Sequence, residues 1–175
     1  MSRLSSLSVI YVCLAACTSA QLPETRWGEP ADADDILGVS LTVLPDGTGL
    51  PIGSGDPQSG QALYVTHCQS CHGEKGSGGI GVALVGGKGT LASTAPLKTI
   101  GSYWPYATTL YDYTRRAMPY GAPMSLSADD YYALTAYLLY INNIVSEDEI
   151  MDRETLPLVR MPNRDGFVNM WSFED

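Results

Sequence analysis

The residues with the clearest chemistry are Cys68-Gln69-Ser70-Cys71-His72. Two thiols two residues apart, with an imidazole directly after, admit three readings. A redox dithiol of the thioredoxin type follows a βαβ pattern, which the preceding sequence lacks. A structural zinc site needs four ligands. The other nearby donor is His67, whose backbone abuts Cys68 and constrains it badly. The third reading is covalent haem attachment. The thiols add to the haem vinyl groups, and His72 is held beneath the iron as proximal ligand.

A second axial ligand must come from elsewhere. The chain has 2 histidines, and the adjacency of His67 to the attachment site makes ligation from the opposite haem face unworkable. Methionine is left. Met151, Met161 and Met170 lie in the C-terminal tail. Met118 and Met124 lie between the second and third expected helices, on the route back across a haem, and the residue pattern leaves both open. A His/Met pair raises the reduction potential, because the soft thioether favours ferrous iron. The plain alternative for either methionine is packing against the ring.

The N-terminus predicts export. Arg3 is the only charge before Glu24, and residues 7–16 form an apolar run too short to span a bilayer. Leu14-Ala15-Ala16-Cys17 has the form of a lipobox, which makes 1–16 a signal peptide and Cys17 a lipidated N-terminus anchored to the membrane. Ordinary cleavage after Ala20 is the alternative. Either way the expected compartment is the periplasm, where c-type haem is attached. Of 4 cysteines, Cys13 leaves with the signal, Cys17 is lipidated or lost, and Cys68 and Cys71 take haem. No structural disulfide remains. At 175 residues, 45% hydrophobic and net charge −9, the chain can bury a core. Its charge argues against a nucleic-acid partner, whose phosphates would repel it.

Three helices should position these residues. Asp56 as N-cap and Pro57 at the first position start one that runs to about His67. A second should start near Pro105 and end before Met118-Pro119, with Tyr106, Leu110, Tyr113 and Ala117 on one stripe. Ser127 and Asp130 cap a third, from Ala128 to about Asn142, with Ala133, Leu134, Tyr137, Leu138 and Ile141 as its apolar stripe. The glycine-rich stretch 73–103 is expected to be a tight loop around a flat cofactor. Residues 17–55 form an extension in which Pro30–Leu37 predicts a helical turn, Val39–Val43 alternates like a strand, and Pro45-Asp46-Gly47 signals a turn. The candidate haem-binding domain covers 56–145. Residues 146–175 open with an acidic turn at Ser146–Glu149, and this tail is expected to wrap the domain or dock a partner.

Cys68-Gln69-Ser70-Cys71-His72-Gly73, the Met118-Pro119 loop and the amphipathic last helix together resemble class I cytochrome c. Gly60 and Tyr64 match that family's helix-crossing positions, with Leu134 and Tyr137 as implied partners. The resemblance implies an all-α fold of three main helices around one covalent haem, with coil-rich extensions. Where the family has Gly-Pro-x-Leu, this chain has Gly81-Val82-Ala83-Leu84, so the carbonyl that accepts from the proximal histidine would belong to Val82.

A narrower resemblance runs through 99–110, Arg115–Pro119, 133–141 and 161–167. These segments are similar to the cytochrome subunits of molybdenum sulfite dehydrogenases and to the haem domain of the Sox-pathway sulfane dehydrogenase. It implies Met118 as the axial ligand. It further implies a haem c electron carrier without bond chemistry of its own, donating to another cytochrome c or an oxidase. Its partner would be a molybdopterin sulfite or sulfane dehydrogenase subunit. A generic carrier, a haem subunit of another dehydrogenase, and a haem peroxidase are the rival functions. Arg115, Arg116, Trp104 and Tyr106 are candidates to bind the haem propionates, one arginine of the pair being expected to be merely solvated.

Overall fold

A computed structural model describes residues 42–168, together with Gly28, Pro30–Asp32 and Asp35. The signal-peptide, lipobox and Cys17 readings, and most of the Pro30–Leu37 and Val39–Val43 readings, lie outside the described residues. Asp35 is helical, and Thr42 and Val43 are irregular rather than strand. Two units separate at Val39/Ser40, and the second carries the elements below.

Helix α1 spans Pro57–His67. Asp56 accepts the Ser59 N–H at 2.9 Å, and Pro57 opens the first turn, where its missing N–H has no partner to lose. A four-residue helix, α2 (Gln69–His72), follows at once and carries the attachment motif. Helix α3 is Ala107–Ala117. Helix α4 is Ala128–Ile141, with a capping box in which Ser127 and Asp130 satisfy each other's backbone N–H groups. Strands β1 (Ser54–Gly55) and β2 (Met151–Asp152) pair antiparallel, Ser54 opposite Asp152 and Gly55 opposite Met151.

The core is organised around α4, where every residue from Tyr131 to Leu139 is buried. A helix apolar on all sides must be covered on all sides. α1 covers one side. A Cβ on Gly60 would collide with the Ala133 carbonyl and lie 2.7 Å from Tyr137 Cβ, so only glycine allows this crossing. Tyr64 fills the adjacent space against Tyr137, ring centroids 5.2 Å apart. Ala133, beside the expected Leu134, is thus the contact at Gly60 together with Tyr137. Residues 133 and 137 share the ridge facing α1, while Leu134 is rotated onto the next face.

The stripe expected on α3 also has a different neighbour. Ala107, Thr108, Tyr111 and Asp112 are buried, whereas Tyr113 is 46% exposed. Leu110 and Tyr113 border the cavity described below rather than a helix. Helical spacing of apolar residues reports a dry face without saying what dries it.

The segments that flank the helices, 43–51 and 146–167, close over the domain. Val43 N donates to the buried Asp112 carboxylate at 3.0 Å, and Asp112 also binds Arg116 in bidentate fashion. Leu44, Gly47, Thr48 and Leu50 form the turn expected at Pro45–Gly47. Tyr132 Oη donates to Pro51 O at 2.9 Å. From the tail, Met151, Leu156 and Met161 enter the core. Asn163 Nδ2 donates to Tyr103 O at 2.8 Å, and Phe167 packs edge-on against Tyr103. Ser146–Glu149 is a turn closed by Ser146 N donating to the Glu149 carboxylate. No helix among the described residues is long and apolar enough to cross a membrane.

Candidate haem site

A cavity of about 510 Å³ lies between α1, α2, α3, α4 and the glycine-rich loop. Its wall includes Cys68, Cys71, His72 and Met118, with Leu84, Ile100, Leu110, Leu134 and Leu138 as apolar lining. Ile80, Val82 and Tyr120 border it while remaining 94%, 74% and 89% exposed, which locates its mouth. Size and lining suit a large, flat, mostly apolar ligand.

The imidazole is oriented by backbone. His72 Nδ1 lies 2.8 Å from Val82 O. A carbonyl only accepts, so Nδ1 carries the proton and Nε2 keeps its lone pair free for a metal. The Val82 carbonyl therefore serves where the family has a proline carbonyl. Gly81 is required beside it, because a Cβ there would sit 2.9 Å from His72 Cε1 and 3.0 Å from Nδ1. The loop itself is bound to the motif, with Gly81 N donating to Cys71 O at 2.8 Å and Gly78 N to His72 O at 2.7 Å. Tyr64 Oη donates to Gly73 O at 2.8 Å, and burial pushes its hydroxyl up to about 12, so it stays a neutral donor.

Cys68 does not resemble a reactive thiolate. Burial pushes Cys68 up to about 11, the opposite of the lowered value a reactive thiolate needs. Among the described residues, no group of three or more His, Cys, Asp and Glu side chains is arranged to hold a bare metal ion. A donor set of two thiols, an Nδ1-protonated imidazole and a thioether around an apolar slot fits an iron porphyrin.

The other candidates divide. Met118 is half-buried in the cavity wall, immediately after α3. Met124 is 51% exposed, and the cavity wall does not include it. His67 ends α1, exposed, at the cavity's edge. Trp104 lines the cavity and packs edge-on against Tyr113 at 5.5 Å. Arg115, Arg116 and Tyr106 are not part of the wall. Arg116 is held by Asp112, and Tyr106 lies under the Arg164 guanidinium at 4.2 Å. The residue that sequence reasoning missed is Lys98. Among the described residues it is the one lysine or arginine in a wall that has no Asp or Glu. Its ammonium also lies 5.1 Å from the Tyr103 ring centroid. Nothing in the sequence marks it, because a lone lysine in a loop reads as solvated.

Comparison with known proteins agrees with this geometry. Residues 55–138 match the family model described as cytochrome C oxidase, cbb3-type, subunit III. A chain in the crystal structure of the sulfane dehydrogenase SoxCD from Paracoccus pantotrophus is 42% identical, with a TM-score of 0.78. The match covers 87% of this chain and 80% of that one. The chain belongs to the class I cytochromes c. No curated protein matches. As a cytochrome c it is a haem c protein, and its role is electron transfer rather than catalysis of bond chemistry. The fold around the cavity is the helical cytochrome c fold, and Leu134 and Leu138 of α4 are part of its haem-facing wall.

Proposed function

We propose that this cytochrome carries a single haem, joined by thioether bonds to Cys68 and Cys71, with His72 and Met118 as axial ligands. The observation that carries this reading is the convergence of all four side chains on one apolar cavity, with His72 held in the metal-binding tautomer by Val82 O. The haem supplies a one-electron ferric/ferrous couple when bound. The protein's own part is to keep water from most of the ring, to fix the imidazole, and to present a thioether that favours the reduced state. Electrons would pass at the mouth bordered by Ile80, Val82 and Tyr120. Lys98 and Trp104 are the groups placed to meet haem carboxylates; Arg115, Arg116 and Tyr106 could do so only by leaving their present surroundings.

The donor in this reading is a molybdenum sulfane or sulfite dehydrogenase subunit, and the acceptor another cytochrome c or an oxidase. The likeness to a chain of SoxCD supports it. Export to the periplasm, with Cys17 as a lipid anchor, completes the reading. Exposed Ile150, Leu158 and Val168 on the tail offer apolar surface to the partner. A peroxidase would need an open sixth position, and Met118 in the wall speaks against one. Pull-down of the native protein from its source, with identification of what it carries along, tests the partner. Recovery of a molybdenum oxidoreductase subunit is expected. Recovery of a different dehydrogenase would replace this donor while leaving the haem assignment intact.

A further inference from the structure

Tyr131 and Tyr132 are neighbours on α4, exposed by only 1% and 0%, and each gives its hydroxyl hydrogen to one backbone carbonyl. Tyr132 Oη donates to Pro51 O, on the segment before α1. Tyr131 Oη donates to Met118 O at 3.1 Å. The two residues share type, helix and burial, and differ in what they hold.

Met118 stands where little else can hold it. Helix α3 has ended, and the Met118 backbone is extended at φ −129° and ψ 150°. Its N–H still reaches Thr114 O at 2.9 Å. Pro119 follows and has no N–H to give. The next backbone bonds are Ala122 N to Pro119 O at 2.8 Å and Met124 N to Arg115 O at 3.0 Å. Among the described residues, the Tyr131 hydroxyl is the partner of the Met118 carbonyl. Tyr131 is itself a fixed point. Its ring meets Tyr111 edge-on at 6.3 Å, and its carbonyl accepts from Thr135 Oγ1 at 2.7 Å.

We propose that Tyr131 is a positioning residue for the axial thioether. By tying the Met118 carbonyl to the most buried helix, it limits how readily the methionine side chain swings out of the cavity. The inference rests on Met118 being the ligand. Loss of the bond leaves the ring packing intact and frees the residue that must move for ligand exchange.

The test is titration of the ferric holoprotein with imidazole, which competes with a thioether for iron. It compares the unmodified protein with Tyr131→Phe, Tyr132→Phe and Met118→Ala. Tyr131→Phe should bind imidazole about fivefold more tightly, the equilibrium worth of one neutral hydrogen bond. It should keep the near-infrared sulfur-to-iron band when imidazole is absent. Tyr132→Phe should lose a similar amount of thermal stability with unchanged imidazole affinity. An unmoved affinity in Tyr131→Phe overturns the inference, and so does an equal shift in both Phe variants, since either means general loosening or none. Met118→Ala should lose the band and bind imidazole far more tightly. If it does neither, the ligand reading itself falls, and the inference with it.

Discussion

On one face of α4, Leu134 and Leu138 border a cavity of about 510 Å³ whose wall is almost entirely uncharged. On another, Tyr132, Asp129 and the backbone beside Ala133 receive the segment that precedes α1. Ser54 N donates to Asp129 at 2.8 Å, Tyr132 Oη to Pro51 O, and Gly55 approaches the Ala133 backbone too closely for any Cβ. The clasp side is closed by polypeptide: Tyr132 and Asp129 have backbone partners there, and of its buried side chains among the described residues the Tyr111 hydroxyl, packed against the Tyr132 ring, is without one. On the proposed reading the cavity side is finished by the haem. A cytochrome of this size needs both, because a haem-centred core leaves little apolar area for the helices to share among themselves.

The comparison breaks most visibly if the cavity side is self-sufficient. Replacing Cys68 and Cys71 by alanine should leave little cooperative thermal unfolding, since haem then no longer contributes its binding to folding. A sharp calorimetric transition in that variant would show that the clasp alone holds the fold. Truncation after Val145 probes the other side. It removes the buried Met151, Leu156 and Met161 and should cost on the order of 5 kcal/mol. Haem absorption and the sulfur-to-iron band should be retained. Loss of the band together with stability would mean that the two sides are not separable.

Gly60→Ala acts on the seam with α1. The added methyl meets the Ala133 carbonyl, and the helices must part, at about 3 kcal/mol by denaturant unfolding. Lys98→Met should do least. On the proposed reading, in which Lys98 meets the haem carboxylates, removing its positive charge lowers the reduction potential, and as an exposed charge its effect is under about 1 kcal/mol. Redox titration reads it, and a raised potential would remove Lys98 from the site.

What was legible in the sequence follows the same division. The attachment motif and the helix starts at Asp56-Pro57 and Ser127 are local. Each is a capping rule or a short spacing that needs no knowledge of the rest of the chain. The apolar stripe Leu110/Tyr113 was legible as a dry face, but its neighbour is a cofactor cavity, which periodicity does not encode. Ala133 was passed over for Leu134 because the larger residue reads as the better contact, whereas a close helix crossing selects the smaller one. The β1–β2 clasp was missed for a different reason. Each strand is two residues long, and their pairing is set by distant burial rather than by propensity. Asp112 reads as a helix-surface acid, and its tie to Val43 N spans 69 residues. The Val82 carbonyl came from a family pattern, since a backbone acceptor has no signature of its own.

The central claim is that the cavity holds a haem iron between His72 and Met118. The near-infrared spectrum of the ferric protein, measured for Met118→Ala and Met124→Ala side by side, tests it most directly. The account predicts that the sulfur-to-iron band disappears in Met118→Ala and persists in Met124→Ala; the reverse result would contradict it.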